Sequence, residues 1–291
     1  MRWTPGGSSD DVEDRRDDSG SGGMQFGGMH IGIGGVIIIF ILSLVFHRNF
    51  FALFGNGGGP VATRQAERSE PSPASRERDR TEQPLVEFVT FVLNDTQATW
   101  AKILPASNGV PYRHAKLVLF RNSIPSACGR AQSATGPFYC PEDEKVYIDL
   151  AFYDELKRRF GAPGEFAEAY VLAHEIGHHV QKLLGIEGKA HAAEERNPQS
   201  AKAISVRLEL QADCFAGVWA HSTDQRHLLE AGDVDEALKA AAAVGDDRLQ
   251  RMSTGHVNPD SFTHGSSAQR MQWFQQGLNG GTTQSCNTFQ N

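Results

Sequence analysis

The run His174-Glu175-Ile176-Gly177-His178 holds two imidazoles four residues apart, with a carboxylate between them. On an α-helix that spacing puts both rings on one face about 6 Å apart, so two ring nitrogens can turn toward a single ion. Glu175 is too close in sequence to join them easily as a ligand, but it stands where a general base could take a proton from water. Such a set suits metal-assisted hydrolysis. The bland alternative is a buried helix whose histidines are satisfied by core hydrogen bonds. The context favours chemistry: Phe166, Tyr170 and Val171 can bury the helix, and Gly177 lets another element approach its backbone.

A catalytic zinc takes three protein ligands and keeps a fourth position open. The pattern HExxHxxGxxH is excluded, because Gln181 and Leu184 occupy its glycine and its third histidine. The better third ligand is Glu209, in Glu209-Leu210-Gln211-Ala212-Asp213-Cys214, which completes a set of two histidines and one carboxylate. Asp213, one turn further on, can hydrogen-bond the far nitrogen of a ligand histidine and fix its tautomer. Glu194 and Glu195 are rivals, but they precede Pro198 in a polar segment and lack such a partner.

The late segment Thr263-His264-Gly265 with Arg270 has two readings. In one, His264 is catalytic and meets the charge developing on an oxygen, with Arg270 as an alternative stabiliser or substrate anchor. In the other, Gly265, Ser266 and Ser267 start a helix whose Arg270 pairs with a nearby acid while Met271, Trp273 and Phe274 pack. His179 points about 100° away from His178 and is structural on this reading.

These side chains need rigid carriers. Helical spacing of apolar residues predicts helices over 85–104, 153–160, 165–184 and 201–220, the third stopped by Gly185. Residues 115–120 and 146–150 read as strands, with 136–140 as an extended piece between them. The rest is mainly helical, which gives an α+β domain with a few strands early and helices late.

Four cysteines, Cys128, Cys140, Cys214 and Cys286, occur with no CxxC pair. An even number and the short 128–140 interval fit disulfides formed in an oxidising compartment. Three connectivities are open, and Cys128 with Cys140 plus Cys214 with Cys286 is the favoured one. The chain has 291 residues and a formal net charge of −7, which disfavours nucleic acid as a partner. The charge is uneven: residues 1–30 carry three basic and six acidic side chains, and residues 31–46 carry none. Residues 27–46 are long enough to span a hydrocarbon core of about 30 Å as a helix, so one transmembrane anchor is expected there. Around it, 1–26 reads as a disordered acidic tail and 47–84, rich in Gly, Pro, Ser and mixed charge, as a flexible linker. That leaves 85–291 as one domain. Arg15 and Arg16 on one side nearly balance Arg48 and Arg64 on the other, so charge alone does not orient the anchor, and the cysteines decide for an extracytoplasmic domain.

Three segments taken together carry a resemblance: His174-Glu-Ile-Gly-His-His179, Arg207-Leu-Glu-Leu-Gln-Ala-Asp-Cys-Phe-Ala-Gly-Val-Trp219 and His264-Gly-Ser-Ser-Ala-Gln-Arg-Met-Gln-Trp-Phe274. With the opening Met1-Arg-Trp-Thr-Pro-Gly, the chain resembles the bacterial neutral zinc metallopeptidases over nearly its whole length. The resemblance implies a zincin-like domain similar to gluzincins. Its implied ligands for one Zn2+ are His174, His178 and Glu209, its implied catalytic residue is Glu175, and its implied substrate is a peptide or protein. With the apolar stretch 27–46 and the cysteines, the expectation is a single-pass protein of the bacterial inner membrane, anchored in the bilayer by one helix, with the domain on the periplasmic side. A rival from another class is a tethered interaction module in which zinc is structural and Cys214 is a fourth ligand. A disulfide between Cys214 and Cys286 favours the enzyme.

Overall fold

The computed structural model describes residues 1–18, 73–133 and 136–290. In chain order the elements are β1 (Val12–Asp14), α1 (Pro73–Asn108), β2 (Lys116–Phe120), β3 (Ser123–Ser126), β4 (Gly129–Gln132), β5 (Phe138–Cys140) and β6 (Lys145–Asp149). They are followed by α2 (Ala151–Arg158), α3 (Glu165–Leu183), α4 (Ile186–Arg196), α5 (Ala201–Gln225), α6 (Asp233–Ala243), α7 (Asp246–Thr254) and α8 (Ser267–Gly280). This is a mixed α+β domain, mostly helical with a small sheet.

The sheet has the order β1-β2-β6-β5, parallel except for the edge pair β5–β6. β2 and β6 are buried on both faces, and their alternation sorts the two sides. Leu117, Leu119, Val146 and Ile148 join the helical core, while Val118, Phe120 and Tyr147 pack against Ile124 and Ala131 of the β3–β4 hairpin. The Cys128–Cys140 disulfide ties that hairpin to β5. The extended piece expected at 136–140 is strand β5, which pairs with β6 at the sheet edge, while the β3–β4 hairpin has no counterpart in the sequence reading.

Two expectations about the flanking regions change. Residues 1–18 do not form a disordered tail. Val12 pairs with Leu117 in β1, Trp3 packs edge-on against Phe88 at 5.2 Å, and the Met1 amino group lies 3.2 Å from Asp233. The acidic residues have fixed partners: Asp11 with Lys116, Glu13 with Lys145, and Asp14 with the buried Arg16. The linker ends earlier than 84, because 73–84 is the first part of α1. Its mixed charges are the polar face of a helix, where Asp79 and Glu82 reach Arg121, and Glu82 also reaches Arg16.

Among the described residues no helix is long and apolar enough to cross a membrane. Residues 27–46, expected to form the anchor, lie outside the described residues. The placement of β1 still bears on that expectation: a single crossing at 27–46 would put β1 and β2 on opposite sides of the bilayer, whereas they are hydrogen-bonded neighbours.

The long helices stack as α3 on α5 and α5 on α8. Gly177 makes the first contact possible, since a Cβ there would sit 2.9 Å from the Ala212 carbonyl oxygen. The α3 and α5 backbones thus meet at the level of His174, His178 and Asp213. Between them in sequence lies α4, where a polar connection was expected. Its Glu194 pairs with His191, so neither Glu194 nor Glu195 belongs to the His174–His178 cluster.

Candidate metal centre

α3 turns His174 and His178 toward α5, with their rings perpendicular and 4.8 Å apart. Glu209 answers from α5. Its Oε2 lies 3.3 Å from His174 Nε2, and its Oε1 lies 3.5 Å from His178 Nε2. One ligand atom from each of the three residues falls within 4.8 Å of the others. Ligand atoms about 2.0–2.1 Å from one tetrahedral ion stand roughly 3.3–3.4 Å apart, so the two histidine-to-glutamate spacings match a zinc site, and two imidazoles with a carboxylate suit its chemistry.

The outer ring nitrogens explain why both Nε2 atoms face inward. His174 Nδ1 lies 2.8 Å from Asp213 Oδ1, and an ionised carboxylate only accepts, so Nδ1 carries the proton. His178 Nδ1 donates to Gln181 Oε1 at 2.9 Å. The Gln181 amide is itself oriented, because its Nε2 donates to the Leu208 carbonyl at 2.7 Å and to Gln211 Oε1 at 3.1 Å. In the neutral form that a metal ligand must take, each imidazole therefore keeps its proton on Nδ1 and turns Nε2 to the same point. Asp213 behaves as its spacing from Glu209 predicts. Gln181, which the sequence marks as a departure from the HExxHxxGxxH pattern, stands three residues after His178 on one helix, and that spacing is the signal for its role.

Asp213 is fully buried and takes a fork from Arg270, Nε to Oδ2 at 2.8 Å and Nη2 to Oδ1 at 2.9 Å, plus a bond from the Tyr170 hydroxyl. The acid that Arg270 was expected to meet is thus Asp213. Arg270 lies behind the ligand histidine and is 4% exposed.

The electrostatics follow this layout. Burial opposes ionisation of Asp213, but Arg270 and then His174 outweigh it and hold its pKa below the usual range. Burial likewise opposes protonation of His174, yet Asp213 and Glu209 lift its pKa to about 9. For Glu209, burial is overcome by His264, His178 and His174, and its pKa falls well below the usual carboxylate value. A half-buried carboxylate facing two imidazoles is a site that attracts positive charge.

Glu175 follows His174 on α3 and is 8% exposed. His264 lies near Glu209 but outside the three-residue cluster, held by Asp246. His179 is structural: the Tyr139 hydroxyl donates to its Nδ1 at 2.9 Å, and its Nε2 donates to the Arg113 carbonyl at 2.7 Å, which ties β5 to α3. Cys214, next to Asp213, is bonded to Cys286. It is therefore not a fourth ligand, and the closed structural-zinc arrangement does not form. Both favoured cysteine pairings are present.

An α+β domain with two helix-borne histidines, a glutamate from the facing helix and a second glutamate beside the first histidine defines a candidate mononuclear metal centre. Residues 1–289 match the family described as "Putative neutral zinc metallopeptidase", and the chain belongs to that family. It is similar to the Uncharacterized protein YpfJ of Escherichia coli, 46% identical over 292 residues, covering 99% of each chain. It is also similar to Uncharacterized protein Rv2575 of Mycobacterium tuberculosis, 45% identical over 207 residues, covering 67% of this chain and 68% of that one. No solved structure matches it.

Proposed function

We propose that this protein is a zinc-dependent endopeptidase. The observation that carries the reading is the convergence of His174 Nε2, His178 Nε2 and the Glu209 carboxylate on one point, with Glu175 on the same helix. Zinc held by His174, His178 and Glu209 would supply Lewis acidity for a carbonyl and would lower the pKa of water toward neutrality. Glu175 takes the proton from the attacking water and returns it to the leaving amine. His264 faces the oxygen on which negative charge develops. Asp213 and Gln181 hold the two imidazoles in the tautomer that leaves Nε2 free.

The test is cleavage of an unbiased peptide mixture by protein carrying one zinc per chain. Removing zinc with a chelator is expected to abolish cleavage, and adding one equivalent back is expected to restore it. Cleavage unaffected by complete zinc removal contradicts the reading.

We also propose that the domain works outside the cytoplasm, on the periplasmic side of the inner membrane, and that the apolar stretch 27–46 attaches it to the bilayer. Two disulfides support the compartment. Because β1 belongs to the sheet, 1–18 goes with the domain. A cysteine placed at the exposed Thr4 is therefore expected to react with a membrane-impermeant maleimide in intact spheroplasts as fast as one at the exposed Glu155. Labelling at Glu155 alone is the result for a single crossing that leaves 1–18 in the cytoplasm.

A further inference from the structure

The loop Thr263-His264-Gly265 has almost no regular structure of its own, yet it is fixed from two sides. On one side lies α5, in the turn that carries Glu209. Ser205 Oγ donates to the Thr263 carbonyl at 2.8 Å, and a Cβ on Gly265 would meet Leu210 at 3.1 Å and Val206 at 3.4 Å. Gly265 has φ +90°, a conformation that side chains rarely adopt, so the loop can lie this close to α5 only with glycine there.

On the other side lies Asp246, the first residue of α7. Its Oδ2 accepts the backbone N–H groups of Thr263 at 2.7 Å, His264 at 2.7 Å and Gly265 at 3.1 Å. Its Oδ1 is 3.2 Å from His264 Nδ1, which is also 3.0 Å from Thr263 Oγ1. The Asp246 N–H in turn donates to the Gly265 carbonyl at 2.9 Å. One carboxylate thus gathers three successive amides and the ring of the residue between them. Helix capping alone does not call for this, since none of the three amides belongs to α7.

We propose that Asp246 is the positioning residue for His264: it fixes the loop and holds the ring with Nδ1 protonated and Nε2 turned toward the Glu209 side of the centre. This assignment rests on the peptidase reading for its consequence in turnover, but not for its geometry. A carboxylate can only accept, so it selects the Nδ1–H tautomer, and the opposite ring atom is left to meet a substrate oxygen. The same turn of chain braces the other side of the centre, because Arg270, which holds Asp213, also donates to the Val244 carbonyl at 3.4 Å. The α6–α7 turn therefore supports both His264 and, through Arg270 and Asp213, His174.

Asp246→Asn separates these duties, because the amide oxygen can still accept from the backbone while its NH2 now faces His264 Nδ1. In zinc-free protein, ring-nitrogen NMR of His264 is expected to report Nδ1–H in the wild type and Nε2–H in Asp246→Asn. An unchanged tautomer overturns the assignment, whether or not any peptide is cleaved. In zinc-loaded protein, Asp246→Asn is expected to lower kcat about 10- to 100-fold with KM and zinc content unchanged. In a His264→Ala background the same substitution is expected to add nothing, whereas a purely structural role gives the full loss in both backgrounds and overturns the assignment. A wild type that cleaves no peptide refutes the peptidase reading and leaves the NMR result to decide the positioning role. If Asp246→Asn fails to fold, His264→Asn examined by NMR keeps the test: its side-chain NH2 is attached to Cγ as Nδ1 is and is expected to donate to Asp246, and an amide with no such hydrogen bond overturns the assignment.

Discussion

Glu175→Gln is expected to lower kcat by about 10²- to 10⁴-fold while the protein still folds and still binds one zinc per chain. The two glutamates of the centre have separate duties. Glu209 faces the Nε2 atoms of both histidines from the opposite helix and completes the donor set. Glu175 follows His174 directly on α3 and stands outside that set. Glutamine has the same shape and keeps a hydrogen-bonding oxygen, but it cannot accept a proton from water and hand it on. Loss of turnover with retained zinc is therefore the signature of a general base, whereas Glu209→Gln should lose metal and turnover together. The measurements are peptide turnover and zinc content on the same samples. Wild-type turnover in Glu175→Gln would remove the mechanism, even if zinc binding held.

What the sequence made legible was whatever one helical period could carry. His174 and His178 are four apart, as are Glu209 and Asp213, and in each case the structure puts both members of the pair at the centre. Both carriers are long helices rich in apolar residues and buried nearly all round where they carry the site, so their type and approximate ends were readable. Contacts made across the chain were not. Asp246 is 18 residues from His264 and bonds mainly to backbone amides, which leave no trace in a residue pattern. β1 is a three-residue strand, Val-Glu-Asp, within an acidic stretch whose composition matches that of a solvated tail. The partners of Asp11 and Glu13, Lys116 and Lys145, come from strands more than 100 residues away. The same blindness extended the linker into α1, where charges at Asp79 and Glu82 looked like solvation and are in fact ion pairs with Arg121 and Arg16. Apolar length alone pointed to a single crossing at 27–46, and only the pairing of β1 with β2 brings that topology into question.

Arg270→Met is expected to destabilise the fold by about 3–5 kcal/mol, the cost of leaving one partner of a buried ion pair behind. Arg270 is 4% exposed and Asp213 is fully buried, and the Asp213 carboxylate is bonded by His174, Tyr170 and two N–H arms of the guanidinium. Methionine fills similar volume but offers no donor, so Oδ2 loses its bond and the carboxylate loses its counter-charge. The neutral pair tests this directly. Asp213→Asn combined with Arg270→Met removes the stranded charge and is expected to recover a large part of the stability lost in Arg270→Met alone, because the penalty belongs to the unpaired carboxylate rather than to the missing contact. Urea midpoints of the wild type, both single variants and the double variant complete the cycle. An Arg270→Met protein within about 1 kcal/mol of wild type would mean that the pair has the small worth of an exposed surface bridge. Recovery in the double variant should stop short of function, since an amide at 213 no longer compels His174 to carry its proton on Nδ1, and zinc affinity is expected to fall about 10- to 100-fold even where the fold is restored.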